Sequence, residues 1–360
     1  MAGNPHRALS RASRDTQPFK SIGSHCRWVS TVSTPSTVTA RPDQDRTTVN
    51  RLIEWLPDRV DGKIRLVAWL SFVAETMIIA TGGAVRLTGS GLGCPTWPTC
   101  TADSLVPTEE LDYHSIIEFG NRMMTGVVGI IALVLFVLVW RIRAERRDLF
   151  TLAFIVGAGV VAQAIVGGIT VWTGLNPFIV GFHYVSSLVL VCVSAAFIAR
   201  MHQPPGPRER AVPGWYAGLT HATSAVLAIT IVFGVLTTGS GPHSGDTDAG
   251  RTGFDSELLE HVHAWPGYAL LALTLVLAAA AWQLRLPTLR WALALVAVEL
   301  VQVTVGLIQA RSGLPPLLVG IHMVLAALTA AAMTVVVLQL KQPTGASQSP
   351  AEMPTAASAR

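Results

Sequence analysis

His183 and His322 each lie six residues past a proline, Pro177 and Pro316, in the matched triplets Gly181-Phe182-His183 and Gly320-Ile321-His322. Asn121 and His263 form a second matched pair, in Glu118-Phe119-Gly120-Asn121 and Glu260-His261-Val262-His263. An imidazole nitrogen ligates a transition metal, and a carboxylate such as Glu118 can accept and deliver protons. Placed on facing helices of a four-helix bundle, His263 and His322 have the geometry to clamp a haem iron from both sides. Zinc is a poorer reading: no Cys–His cluster has zinc spacing, although Glu260 stands one turn before His263.

The elements that must carry these residues are duplicated. Thr88-Gly89-Ser90-Gly91 recurs at Thr238 to Gly241, and Gly167-Gly168-Ile169-Thr170 is echoed by Gly306-Leu307-Ile308-Gln309. Hydrophobic residues make up 51% of the chain and charged ones 13%, and the apolar residues gather into runs of about twenty, the length of a bilayer-crossing helix. Stretches such as Ile130 to Val139 carry no polar face, which excludes a large soluble helical protein. The sequence predicts an all-α polytopic membrane protein with eight transmembrane helices in two tandem, pseudo-symmetric four-helix bundles. The spans are placed near residues 65–85, 119–140, 150–172, 177–199, 215–238, 263–284, 290–310 and 316–340. Around them, residues 1–62 form a disordered cytoplasmic extension and 63–200 the first half. A linker at 201–214, the second half at 215–340 and a disordered tail at 341–360 complete the division.

Arg141, Arg143, Arg146, Arg147, Arg200, Arg208, Arg210, Arg285 and Arg290 all fall on one side of the eight spans, which makes that side, and both termini, cytoplasmic. The net charge of +4 thus reflects topology rather than nucleic-acid binding. Residues 1–45 are rich in Ser, Thr and Arg, which also admits a mitochondrial-type transit segment. His183, His322, Asn121 and His263 all enter from the opposite, outer side at similar depth. In the first outer loop Cys94 and Cys100 are spaced to close a small disulfide, the alternative being two free thiols. Arg86 and Arg122 suit either a bound carboxylate such as a haem propionate or simple snorkelling to the interface. Gln163 and Gln302, matched by the repeat, read as bundle-facing amides that tie helices together.

Three segments make the chain resemble a known family: Val85-Arg86-Leu87-Thr88-Gly89-Ser90-Gly91-Leu92-Gly93-Cys94-Pro95-Thr96-Trp97-Pro98, then Ile117-Glu118-Phe119-Gly120-Asn121-Arg122, then Gly181-Phe182-His183. Over residues 65–340 the sequence resembles the haem A synthases, membrane enzymes that oxidise a methyl group of haem O to the formyl group of haem A for terminal oxidase assembly. The resemblance implies a catalytic first half holding haem O and a second half holding a permanent haem b on His263 and His322. It also implies an axial role for His183, a role in the oxidation for Glu118, and an outer-loop cysteine pair at Cys94 and Cys100. In that family a histidine usually stands where this chain has Asn121, and an arginine where it has Ala264. The asparagine leaves His183 to hold the substrate alone or with His114.

The resemblance further implies haem O synthase as the supplier of substrate and assembly factors of the terminal oxidase as partners, besides membrane lipid. Such an enzyme resides in a bacterial plasma membrane or a mitochondrial inner membrane. A membrane b-type cytochrome without chemistry of its own would use His263 and His322 equally well, but gives no role to Glu118 or the cysteine loop. A transporter of parallel repeats predicts helices interrupted at mid-membrane, whereas the polar markers lie near one surface.

Overall fold

The computed structural model describes Glu54, residues 56–108 and residues 112–344. Eight long helices run through them: α1 Gly62–Leu87, α2 Tyr113–Val139, α3 Arg147–Trp172, α4 Pro177–Met201, α5 Gly214–Ser240, α6 Ser256–Gln283, α7 Leu289–Arg311 and α8 Pro316–Leu338. All eight are long and apolar enough to cross a membrane. Their outward faces carry exposed Leu66, Val73, Ile130, Val161, Val232 and Leu300, a surface that suits lipid and not water.

Local chemistry fixes where the helices start. Asp61, Asp112, Asn176 and Asp255 each accept a bond from a backbone N–H in the first turn of α1, α2, α4 and α6. The caps at Asp112 and Asp255 also correct the expected spans. Both α2 and α6 begin about two turns earlier than their apolar runs, because a capped helix can extend through polar residues into the interface. Glu118 and Glu260 therefore stand within helices.

Helices α1 to α4 close into a ring of neighbours, each packed against the next and α4 back onto α1, and α5 to α8 do the same. The two rings meet where α4 packs on α8, α1 on α8, and α4 on α5. Exchanging the halves maps α4·α8 onto itself and α1·α8 onto α5·α4, the pattern of an isologous interface. Tyr184 Oη on α4 donates to the Met323 carbonyl on α8 at 2.9 Å. Gly181 packs against Val235 on α5, and Gly320 against Leu87 on α1, so the same glycine of each half admits the first helix of the other. The α3–α4 and α7–α8 turns match as well. Leu175 and Leu314 both take φ of 58°, and their N–H groups bond back to Thr170 and Gln309 at 2.8 and 2.9 Å.

Two borders differ from the expected ones. Leu56 is buried in a cluster with Ile64, Ala68, Leu135 and Leu149, and Arg141 Nη1 donates to the Glu54 and Leu56 carbonyls, so packing begins before residue 63. Residues 341–343, expected in the disordered tail, form strand β2 (Lys341–Pro343), antiparallel to β1 (Arg208–Arg210) in the linker. Backbone groups just past α8 have no helical partners, and the linker supplies them. Residues 1–53, with Cys26 and the transit-type reading, and residues 345–360 lie outside the described residues.

Candidate functional site

Each half has its polar residues facing a glycine on the neighbouring helix. On α7, Gly306 lies beside His322, whose Cε1 would stand 3.1 Å from an added Cβ; on α3, Gly167 lies beside His183 at 3.5 Å. On α5, Gly234 lies beside His263 at 2.8 Å, and on α1, Gly82 lies beside Asn121 at 3.8 Å. The repeat thus places four ring or amide groups in slots cut by four missing side chains.

The second half forms the clearer pair. The rings of His263 and His322 stand 6.1 Å apart between centroids at an interplanar angle of 81°. Two metal–nitrogen bonds of about 2 Å plus the two ring radii come to about 6 Å, so one metal ion fits between the rings. His263 Nδ1 is bound to the Thr230 carbonyl at 2.9 Å, which fixes the ring and leaves Nε2 as its free nitrogen. His322 Nδ1 is buried with no partner. Gln302 Nε2 donates to the His322 carbonyl at 3.2 Å, while Gln302 Oε1 is likewise buried and unpartnered. No group of three or more His, Cys, Asp or Glu able to hold a bare metal ion occurs among the described residues.

The first half keeps one histidine. His183 Nδ1 is buried and unpartnered, and Ser187 Oγ, bonded to the His183 carbonyl, also donates to Gln163 Oε1 at 3.0 Å. Asn121 is oriented by Thr81, whose hydroxyl donates to Oδ1 at 2.8 Å. The structure ties His114 elsewhere, with Nδ1 on Ser90 Oγ at 2.9 Å.

Above this half sits the loop closed by a Cys94–Cys100 disulfide, and Glu118 and Arg122 hold it in place. Glu118 Oε2 accepts from the Cys94 N–H at 2.6 Å, and Oε1 accepts from Arg122 Nε and Nη2 at 3.1 and 2.5 Å. The same guanidinium donates to the carbonyls of Thr96, Thr99 and Cys94 at 2.9, 3.0 and 3.1 Å. All five geometric positions of an arginine fork are thereby matched by fixed acceptors, an arrangement lysine cannot reproduce. Trp97 from this loop reaches down onto α3, where it fills the space over Gly168. Arg86 is engaged across the interface: its Nε and Nη2 donate to the His243 and Thr238 carbonyls of the second half at 2.8 and 2.9 Å. Both arginines, read as suiting either a bound carboxylate or the membrane interface, instead make contacts to backbone carbonyls of the protein. Thr81 and Thr230 were missed too; their one signal is a hydroxyl in an apolar helix, shared with many residues that only back-bond to their own turn.

A family model described as cytochrome oxidase assembly protein matches residues 65–242, from α1 to the end of α5. Over this segment the chain is similar to that family. It is 39% identical over 129 residues to a heme A synthase of Lysinibacillus sphaericus (strain C3-41), a match covering 35% of this chain and 41% of that protein. It is 35% identical over 129 residues to a heme A synthase of Bacillus cereus (strain AH187), and equally to one of Bacillus anthracis (strain CDC 684 / NRRL 3495). The chain thus spans about two-fifths of the length of the curated relatives it matches, 41% in each case. Within the cytochrome oxidase assembly family match lie the disulfide loop, Glu118, Arg122, Asn121 and His183, whereas His263 and His322 lie beyond it.

Proposed function

We propose that this protein is a haem A synthase, oxidising a methyl group of haem O to the formyl group of haem A. The observation that carries this reading is the inequality of two halves built on one scaffold. The second half presents two histidines 6.1 Å apart, one of them anchored through Nδ1, which is the donor set for a resident haem b held from both sides. At the matched positions the first half presents His183 and an amide, beneath a disulfide loop that the second half lacks. A resident cofactor is best retained by two strong ligands. A substrate that must leave as product is served by one strong ligand and one weak one.

In this reading His183 would hold the iron of haem O, and Asn121, its amide turned by Thr81, would be the weaker partner in the same half. Chemistry at the rim methyl needs the macrocycle oriented, and Trp97 over Gly168 with the disulfide loop shapes the outer end of that chamber. Glu118 serves as proton acceptor near the methyl, its orientation set by Arg122 and the Cys94 N–H. Net conversion of the methyl to the formyl group takes up one oxygen atom and gives up four electrons to an external acceptor, and Glu118 would take protons released from the methyl carbon. His263 and His322 are the residues that would hold haem b, which would supply a one-electron redox centre. Haem O synthase stands upstream as the source of substrate, and oxidase assembly factors downstream. The Arg-rich face is cytoplasmic, and the membrane a bacterial plasma membrane, with a mitochondrial inner membrane as the alternative.

The test is mass analysis of haem extracted from cells that make haem O, with and without this chain. Haem A is expected with the wild type and lost in Glu118→Ala and His183→Ala. Unchanged haem O, alongside purified protein carrying haem b, would make it a b-type cytochrome instead.

A further inference from the structure

On the Arg-rich face, away from the histidines, a cavity of about 420 Å³ opens between the ends of α4, α5 and α8. Its rim carries Arg200, Arg210, His221 and Lys341, and its wall includes Ala217 and Leu338. The β1–β2 pairing builds that rim. Alternation along a strand puts Arg208 and Arg210 on one face and Glu209 on the other, and the register sets Lys341 directly opposite Arg210. Like charges directly opposed weaken a ladder. Here they are left without a compensating acid, because none of Arg200, Arg210 and Lys341 is ion-paired among the described residues.

Two further observations point to a missing anion. Arg200 Nη1 is buried with no hydrogen-bond partner. Helix α5 starts at Gly214 after Pro213, which gives no side-chain cap, and the Arg210 guanidinium lies against Gly214, 3.2 Å from where a Cβ would stand. A cation beside the positive end of an uncapped 27-residue helix is unfavourable unless an anion joins them. The cavity also has depth. His221 stands seven residues into α5, about 10 Å along the axis, so the site runs from the interface toward the acyl region.

We propose that this cavity binds the phosphate headgroup of an anionic phospholipid from the adjoining leaflet, with its glycerol and upper acyl carbons against Ala217 and Leu338. Basic pockets between membrane helices on this face of a bilayer take such lipids as a class. Position argues for lipid over soluble phosphate: the apolar wall and the depth of His221 add nothing to the binding of a free anion.

Full-length protein in detergent, titrated with phosphatidylglycerol or with phosphatidylcholine of the same chains and read by native mass spectrometry, tests the site. The variant Arg210→Gln/Lys341→Gln removes two exposed cations, and Arg143→Gln/Arg285→Gln removes two exposed cations of the same face outside the cavity. At about fivefold per cation, the cavity variant is expected to bind phosphatidylglycerol about 25-fold more weakly. The control variant keeps wild-type affinity, phosphatidylcholine binds all three proteins alike, and the haem spectrum and melting midpoint show that each is folded. Equal phosphatidylglycerol affinity in the cavity variant and wild type, or an equal loss in the control, overturns the proposal. Displacement of the lipid by equimolar inorganic phosphate overturns it too, in favour of a soluble-anion site.

Discussion

Adding one methyl group to each of the four glycines that face His263, His322, His183 and Asn121 gives a graded test of the proposed site. In Gly234→Ala the new Cβ would stand 2.8 Å from His263 Cε1 and 3.1 Å from Nδ1. Carbon atoms rest at about 3.5 Å or more, so the ring must retreat by about 0.7 Å. It cannot do so freely, because Nδ1 is held by the Thr230 carbonyl at 2.9 Å. Overpacking of this kind costs about 1–3 kcal/mol, which corresponds to about 5- to 150-fold in affinity for a haem whose ligand is displaced. Gly306→Ala, at 3.1 Å from His322 Cε1, should cost less, while Gly167→Ala at 3.5 Å and Gly82→Ala at 3.8 Å make ordinary contacts. The assay is haem b per folded protein, from reduced-minus-oxidised spectra of purified variants after dilution and washing. The expected order of retention is Gly82→Ala and Gly167→Ala as wild type, then Gly306→Ala, then Gly234→Ala. Full retention in Gly234→Ala, or loss in Gly82→Ala matching it, would refute the placement of the resident haem between His263 and His322.

Three further outcomes are expected. Arg122→Gln unpairs buried Glu118 and releases three loop carbonyls, a loss of about 3 kcal/mol that should lower the melting midpoint by several degrees; a midpoint within one degree of wild type would show that the fork carries no load. Asn121→His restores a second strong ligand to the first half, and protein loaded with haem O should shift to a fully low-spin spectrum and turn over more slowly; an unchanged spectrum would place residue 121 away from the iron. Arg86→Ala removes two charge-assisted bonds between the halves, about 3 kcal/mol in denaturant unfolding, with haem A yield per folded protein preserved. A yield that falls further than the folded fraction would instead make Arg86 a contact of the substrate carboxylates.

The sequence exposed the duplication, the eight spans and the matched positions of His183, His322, Asn121 and His263, because all of these are written as local patterns, whereas the glycines facing Asn121 and His263, Gly82 and Gly234, carried no such mark. It misjudged where α2 and α6 begin, since hydropathy sees the polar turns Tyr113 to Glu118 and Ser256 to Val262 as loop, whereas Asp112 and Asp255 cap them into helix. Arg86 and Arg122 were hardest to read. Their partners are backbone carbonyls, which every residue has, so nothing in the side-chain sequence marks Thr238 or Thr96 as an arginine acceptor. The β1–β2 pair escaped for a related reason: three-residue strands 131 positions apart, from Arg210 to Lys341, have no periodicity to detect and are held by main-chain groups.

The bond from Tyr184 Oη to the Met323 carbonyl has a consequence for how the halves communicate. Tyr184 follows His183 in the chain and Met323 follows His322, so the two histidines are joined by the covalent skeleton of four residues and a single hydrogen bond of 2.9 Å. Tunnelling decays far less steeply through bonds than through a gap between packed apolar side chains. The seam between α4 and α8 therefore offers a bonded path from one histidine to the other, close to the axis that exchanges the halves. Severing it in Tyr184→Phe leaves both ligand sets whole and interrupts only the wire.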